Sequence, residues 1–344
     1  MLNKYSIRTK VLVILSSIAI LAAGISSYLG YQVAEEALTD QAFKQLVAVR
    51  EMKANHVEDY FAGISDQVLT FSENKMIIEA ASAFRAAFRN LETELALVRS
   101  QIGEYERQLR LYYQDQFLPR LNANLMEQVP LSDYWPEGQT AKMLQHLYIS
   151  ANPFETGGKE ALDESPDQSS YSQVHALFHP VIRSYLENFG YYDIFLIDHE
   201  TGHIVYSVFK EVDFGTSLLS GPYRQTNLAK VFLAARDSST PDFVMLADFA
   251  GYHPSFGEQA SFIGSPVFEG AEMVGVLVFQ MPVDRINDIM TTHAQWDSVG
   301  LGRSGETYIV GEDFTVRNQS RFLIDDPGVF FSDFGKVASR VQVV

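Results

Sequence analysis

Residues 191–209 read YYDIFLIDHETGHIVYSVF. Tyr191–Ile197 is aromatic and β-branched, Asp198–Gly202 is turn chemistry, and His203–Phe209 returns to the first composition, so the stretch reads strand, turn, strand. Side chains alternate along a strand, which puts Tyr206, Val208 and Lys210 on one face and Val205, Ser207 and Phe209 on the other. Three further strands are expected at Asp242–Leu246, Ala260–Val267 and Met273–Gln280, the last two joined as a hairpin through residues 268–272. A helix is expected at Gln225–Ala235. Five antiparallel strands with helices packed beside them define an α+β lobe.

Downstream, a helix at about Val283–Ser298 precedes GETYIVGEDFTVRNQSRF, residues 305–322. Thr307–Val310, a turn at Gly311–Asp313 and a return strand at Phe314–Asn318 repeat the opening layout, so a second lobe of the same kind is expected to start here and to be incomplete at Val344. Upstream, residues 119–170 collect Pro119, Pro130, Pro136, Pro153 and Pro166 with Gly138, Gly157 and Gly158, a connector with a short helix at Thr140–Ile149. A helix at about Tyr171–Asn188, stopped by Gly190, leads from it into the sheet. Earlier still, apolar residues recur at helical spacing: Leu46, Val49, Val57, Phe61, Ile64, Val68 and Phe71. A second series, from Phe84 through Phe88, Leu91, Leu95, Val98, Ile102, Tyr105 and Leu109 to Tyr112, alternates steps of four and three. That heptad pattern belongs to a coiled-coil stalk and predicts a mixed use, a homodimer seam together with packing on the chain's own downstream domain. Residues 72–75 hold the only kink expected before Pro119.

Residues 11–34, VLVILSSIAILAAGISSYLGYQVA, are uncharged and long enough to span a bilayer core, which takes about 20 residues. A cleaved signal peptide has a shorter apolar core, about 7–15 residues. Lys4, Arg8 and Lys10 precede the run and Glu35, Glu36 and Asp40 follow it, which orients the chain with residues 1–10 in the cytoplasm and 35–344 outside the inner membrane. The chain of 344 residues carries a net charge of −17, and its first ten residues contribute three cations and no acid. The remainder, at −20, repels nucleic-acid phosphates and anionic lipid headgroups. Absence of cysteine removes thiol catalysis, disulfides and Cys-ligated metals.

Other motifs are weaker. Gly300-Leu301-Gly302-Arg303-Ser304-Gly305 matches GxGxxG but follows a helix and opens a strand, the reverse of a dinucleotide fingerprint. His175 and His179 stand four apart on a helix without a third ligand, so packing is the expected role. Asn318-Gln319-Ser320 is a chance glycosylation triplet. With no Ser/His/Asp constellation in a nucleophile context, neither catalytic residues nor a cofactor are expected.

Four stretches carry a resemblance: residues 191–218 (YYDIFLIDHETGHIVYSVFKEVDFGTSL), 248–268 (DFAGYHPSFGEQASFIGSPVF), 275–290 (GVLVFQMPVDRINDIM) and 300–322 (GLGRSGETYIVGEDFTVRNQSRF). They resemble the extracytoplasmic double Cache domains of bacterial transmembrane receptors, over about residues 175–344. The resemblance implies two PAS-like lobes on one long helix, a small ligand in the membrane-distal lobe, and service to a chemotaxis transducer, histidine kinase or nucleotide cyclase. It divides the chain into a cytoplasmic start (1–10), a span (11–34), a long helical segment (35–118), a connector (119–170), a distal lobe (171–298) and the opening of a second lobe (299–344). A second span, a HAMP-like linker and an output module are not visible in the 344 residues. Strand alternation selects the ligand site. Lys210 ends a strand with Asp213 just beyond, Tyr223, Asp248 and Tyr252 lie in loops over the sheet, and Gln280 ends the last strand. Asp248 and Lys210 would take the two charges of an amino acid, or Lys210 a small carboxylate, and Tyr206, Tyr223 and Tyr252 would form the walls; the competing use pairs Lys210 with Asp213 or Glu211 as a solvated surface bridge and puts the tyrosines in the core. The competing reading is an anchored, non-catalytic module that binds and regulates a partner receptor.

Overall fold

The computed structural model describes residues 6–334. Its first element, α1, is one unbroken helix from Ile7 to Ser72, 66 residues or about 100 Å long. Its early part is long and apolar enough to cross a membrane and buries none of that window. Its last turns bury Ile64, Val68 and Phe71 against the domain. The break comes at Glu73–Asn74, where the Asn74 side chain accepts the Met76 N–H at 2.9 Å and so starts α2, Lys75–Leu95.

The heptad series does not form one helix. Ala96 turns left-handed at φ 42°, ending α2, and α3 restarts at Arg99–Tyr112. No Gly or Pro marks that break. Phe84, Leu91 and Leu109 are fully buried, whereas Val98 is 60% exposed. Phe84 packs on Tyr206 (ring centroids 4.6 Å), Tyr171 (5.5 Å) and Phe178 (6.2 Å) of the same chain. The stripe is thus an intramolecular core face, which corrects the expected coiled-coil dimer seam over Phe84–Tyr112. A π-turn at Tyr113–Phe117 leads into α4 (Leu118–Asn124), and α5 (Gln139–Gln145) runs into a second π-turn at His146–Ser150.

After α6 (Ser170–Phe189), ended by Gly190 at φ 73°, come β1 (Asp193–Ile197) and β2 (Ile204–Ser207). Then follow α7 (Asn227–Arg236), β3 (Met245–Tyr252), β4 (Glu258–Glu269) and β5 (Glu272–Met281). The strands form one antiparallel sheet in the order β2-β1-β5-β4-β3. The chain is therefore an α+β protein, with a long apolar helix ahead of an antiparallel sheet. One sheet face packs on the helices: Phe279 lies 5.9 Å from Phe71, and Tyr206 meets Phe84. The other face carries α7, whose Val231 sits so near Gly264 that a Cβ there would approach it to 2.7 Å.

Beyond β5, α8 (Val283–Thr291) lies against α1, and the buried Lys53 of α1 donates to the Thr292 hydroxyl at 2.5 Å and to the Ile289 carbonyl. A cation at a helix C-terminus meets its unpaired carbonyls and its dipole. The expected strand pair at 307–318 reduces to a single bridge between Val310 and Val316, since a lone hairpin without sheet neighbours has little to hold it. Two short helices follow, α9 (Arg321–Asp325) and α10 (Pro327–Phe334). Residues 335–344 of the expected second lobe, and 1–5 of the N-terminus, lie outside the described residues.

Candidate functional site

β1 holds one acid among apolar residues, Asp193, opposite Gln280 of β5 on the α7 side of the sheet. Its Oδ1 accepts the N–H groups of Ile194 (2.6 Å), Val208 (2.8 Å) and Phe209 (3.1 Å), and Oδ2 accepts the Ser207 hydroxyl (2.7 Å). This clasp bends the chain out of β2. The bend takes Lys210 into the left-handed region, φ 62°, where its N–H donates to Ser207 Oγ at 3.0 Å.

Strand alternation therefore does not set the direction of Lys210, yet its ammonium ends beside Tyr206, the residue expected to share its face. Its ammonium turns back to the Ser207 and Val208 carbonyls and sits over the rings of Tyr206 (4.7 Å), Phe214 (5.3 Å) and Tyr148 (5.8 Å). Burial lowers the Lys210 amine and raises the Asp193 carboxyl, and the attraction between the two opposes both shifts. Tyr206 lies on the helix side, its hydroxyl 2.7 Å from His179 Nδ1. His179 Nε2 stands 2.6 Å from the Glu160 carbonyl, and His175 stacks on the His179 ring at 4.2 Å, so both histidines pack.

Past Lys210 the carboxyls crowd. Glu211 accepts from Tyr192 (2.8 Å) and Ser255 (2.7 Å), and Gln280 donates to that serine at 3.2 Å. Asp213 accepts the Tyr252 hydroxyl through Oδ2 at 2.5 Å. Tyr252 lies 4.9 Å from Phe262, the β4 partner of Gln280, and 6.5 Å from Tyr223. Three atoms here are buried without a hydrogen-bond partner among the described residues: Asp213 Oδ1, Tyr223 Oη and Gln280 Oε1. Such atoms cost about 1–3 kcal/mol each unless something absent satisfies them. Burial and the charge of Asp193 push Asp213 up to about 7, and burial with the charges of Asp213 and Asp193 pushes Glu211 well above the usual range.

Gln145 fixes the backbone of this segment by donating to the carbonyls of Val212 (2.7 Å) and Phe214 (2.8 Å), while accepting from Tyr113 at 2.9 Å. A cavity of about 20 Å³, room for one water, lies between Glu211, Lys210 and the connector residues Gly157 and Lys159.

Four of the seven expected site residues, Asp213, Tyr223, Tyr252 and Gln280, thus border one buried region, while Tyr206 and the Lys210 ammonium pair beside it on the helix side of the sheet. The seventh is in neither group. Asp248 is on β3 rather than in a loop, exposed, and bidentate to Arg317 at 2.8–3.1 Å, so it cannot oppose Lys210 as the ammonium partner. Sequence reasoning missed Asp193, Glu211 and Tyr192, although an acid inside YYDIFLI is itself a signal. Tyr113 and Gln145 carry no such signal.

No protein-family model matches the chain and no curated protein matches it. Among solved structures, it is similar to the sensor domain of the V. cholerae histidine kinase DctB at 17% identity and TM-score 0.27, covering 56% of this chain and 59% of that one. The ligand-binding domain of the Pseudomonas fluorescens chemoreceptor CtaA, in complex with L-serine, is similar at 14% identity and TM-score 0.27, with 68% of each chain covered. The sensory domain of the Campylobacter jejuni chemoreceptor Tlp3, with isoleucine bound, is similar at 8% identity and TM-score 0.29, covering 75% of this chain and 82% of that one. The chain thus spans about 59% of the length of the DctB domain.

Proposed function

We propose that residues 35–344 are the extracytoplasmic sensing region of an inner-membrane receptor, anchored by residues 11–34, and that the distal lobe binds a small polar metabolite bearing an ammonium group. The observation that carries this reading is the trio of unpartnered atoms beside the Glu211–Asp213 carboxyls. Two of the three, Asp213 Oδ1 and Gln280 Oε1, only accept when the acid is ionised, and an ammonium only donates. Its charge also offsets the burial, and the Asp193 charge, that raise the Asp213 carboxyl. The surplus of acids disfavours a dicarboxylate, so amino acids and other small amines come first. In this reading Asp213 takes the part expected of Asp248.

Dimerisation, which passes the signal along the helix, moves from α2–α3 to α1, where Leu38, Phe43, Leu46 and Met52 are exposed beyond the membrane segment. A thermal-shift screen of amino acids and amines on the full chain tests the proposal. Stabilisation by an amine, abolished in Asp213→Asn and kept in Asp248→Ala, is the expected result. A screen in which no amine stabilises the chain defeats the sensing reading and favours the partner-binding module.

A further inference from the structure

A much larger cavity, about 550 Å³, opens away from the Asp213 cluster, between α1, the outer sheet edge, α8 and the segment around residues 309–317. Its size falls within the usual range of small-molecule sites. The walls are apolar and come from four separate elements: Val57 and Phe61 of α1, Leu246 and Phe249 of β3, Ile286 of α8, and Ile309. At its mouth stand three carboxylates, Asp248, Glu312 and Asp313, against one cation, Arg317. Arg317 is already shared: its guanidinium meets Asp248 at 2.8 Å and Asp313 at 3.0 Å. Glu312 has neither hydrogen bond nor ion pair among the described residues.

We infer that this cavity is a second ligand site, which takes a hydrophobic monoamine with its apolar body between α1 and the sheet edge and its ammonium at the Glu312 carboxylate. An anion is disfavoured, because the one cation there is neutralised by two carboxylates. Apolar walls exclude a small polar amino acid, so the two sites differ in selectivity. Because α1 and α8 both line the cavity, its occupant touches the membrane helix directly, which the Asp213 cluster does not.

The test is calorimetric titration of 2-phenylethylamine into the full chain in lipid nanodiscs, with phenylacetate as the same ring of opposite charge. The amine is expected to bind and phenylacetate not to. Leu246→Trp and Ile309→Trp, which fill the cavity from opposite walls, should each abolish binding. Glu312→Gln, at an exposed position that leaves the fold intact, should weaken it about tenfold. Asp213→Asn should leave it unchanged. Binding that survives both tryptophan variants, or is indifferent to Glu312→Gln, overturns the site. So does equal binding of phenylacetate, or no binding at all. An amine lost only in Asp213→Asn belongs to the first site, which removes the second and leaves the sensing proposal standing.

Discussion

Asp193 and Asp213 are both fully buried aspartates close to the same end of one sheet, yet their surroundings are opposite. Asp193 has four donors on its two oxygens and a lysine nearby. Asp213 accepts one side-chain hydrogen bond, from Tyr252, has an unpartnered oxygen, and is raised by the charge of Asp193 while itself raising Glu211. Burial alone therefore says little about function. The discriminating quantity is the hydrogen-bonding capacity left over, spent on the chain's own bend at Asp193 and open at Asp213.

The comparison breaks most visibly at Asp193. Asp193→Ala strands the Ile194 and Phe209 N–H groups and the Ser207 hydroxyl, leaves the Val208 N–H only its 3.2 Å bond to the Ile194 carbonyl and takes the counter-charge from Lys210, a loss of about 3–5 kcal/mol. The denaturation midpoint of the solubilised chain reads it, and a change below about 1 kcal/mol would show that the clasp is dispensable.

Asp213→Asn should do the reverse, keeping the chain folded within about 1 kcal/mol while removing the ligand's contribution, roughly 2.7 kcal/mol at 100-fold excess over Kd. Thermal shift with and without ligand separates the two. Unfolding of Asp213→Asn would place both aspartates in the same structural class.

The two also differ in their pH signature. Asp213 holds its proton more tightly folded, at about 7 against an ordinary 3.8, so its contribution to stability is full below about 4 and fades as pH rises toward 7. Binding an ammonium runs the other way. It requires the carboxylate, so affinity should climb up to about tenfold per pH unit and level off above about 7. An affinity flat from pH 5 to 8 would mean that Asp213 does not contact the ligand.

The smallest effect belongs to Asp248. Its pairing with Arg317 is exposed, and Asp248→Ala should change stability by under about 1 kcal/mol and leave first-site binding intact. Loss of that binding would restore Asp248 to the site.

The strands were legible because their apolar and β-branched runs are bounded by turn residues, and β1, β4 and β5 lie within a few residues of expectation. Asp248 was misread because β3 runs on to Tyr252, past an irregularity between Ala247 and Ala250 that no residue type announces. Lys210 reaches Tyr206 by another route than strand alternation: its backbone is left-handed, which is rare for a lysine, and the side chain turns back onto that ring. The break at Ala96 has no sequence signal, and the heptad continues through it because both helices bury the same stripe in one core. Tyr113 and Gln145 reach the candidate site across the connector, a distance that local pattern cannot span.

The unbroken α1 has a mechanical consequence. Its sheet-contacting turn near Val68 and the middle of its apolar run near Ala22 stand 46 residues apart on one rod, roughly 70 Å. A tilt of about 2° at the sheet swings the far end by roughly 2–3 Å by leverage alone. Helix displacements of about 1–2 Å are enough to switch subunit interfaces. Amplitude is then a property of rod length, and inserting a hinge between residues 35 and 60 would uncouple the two ends without touching either.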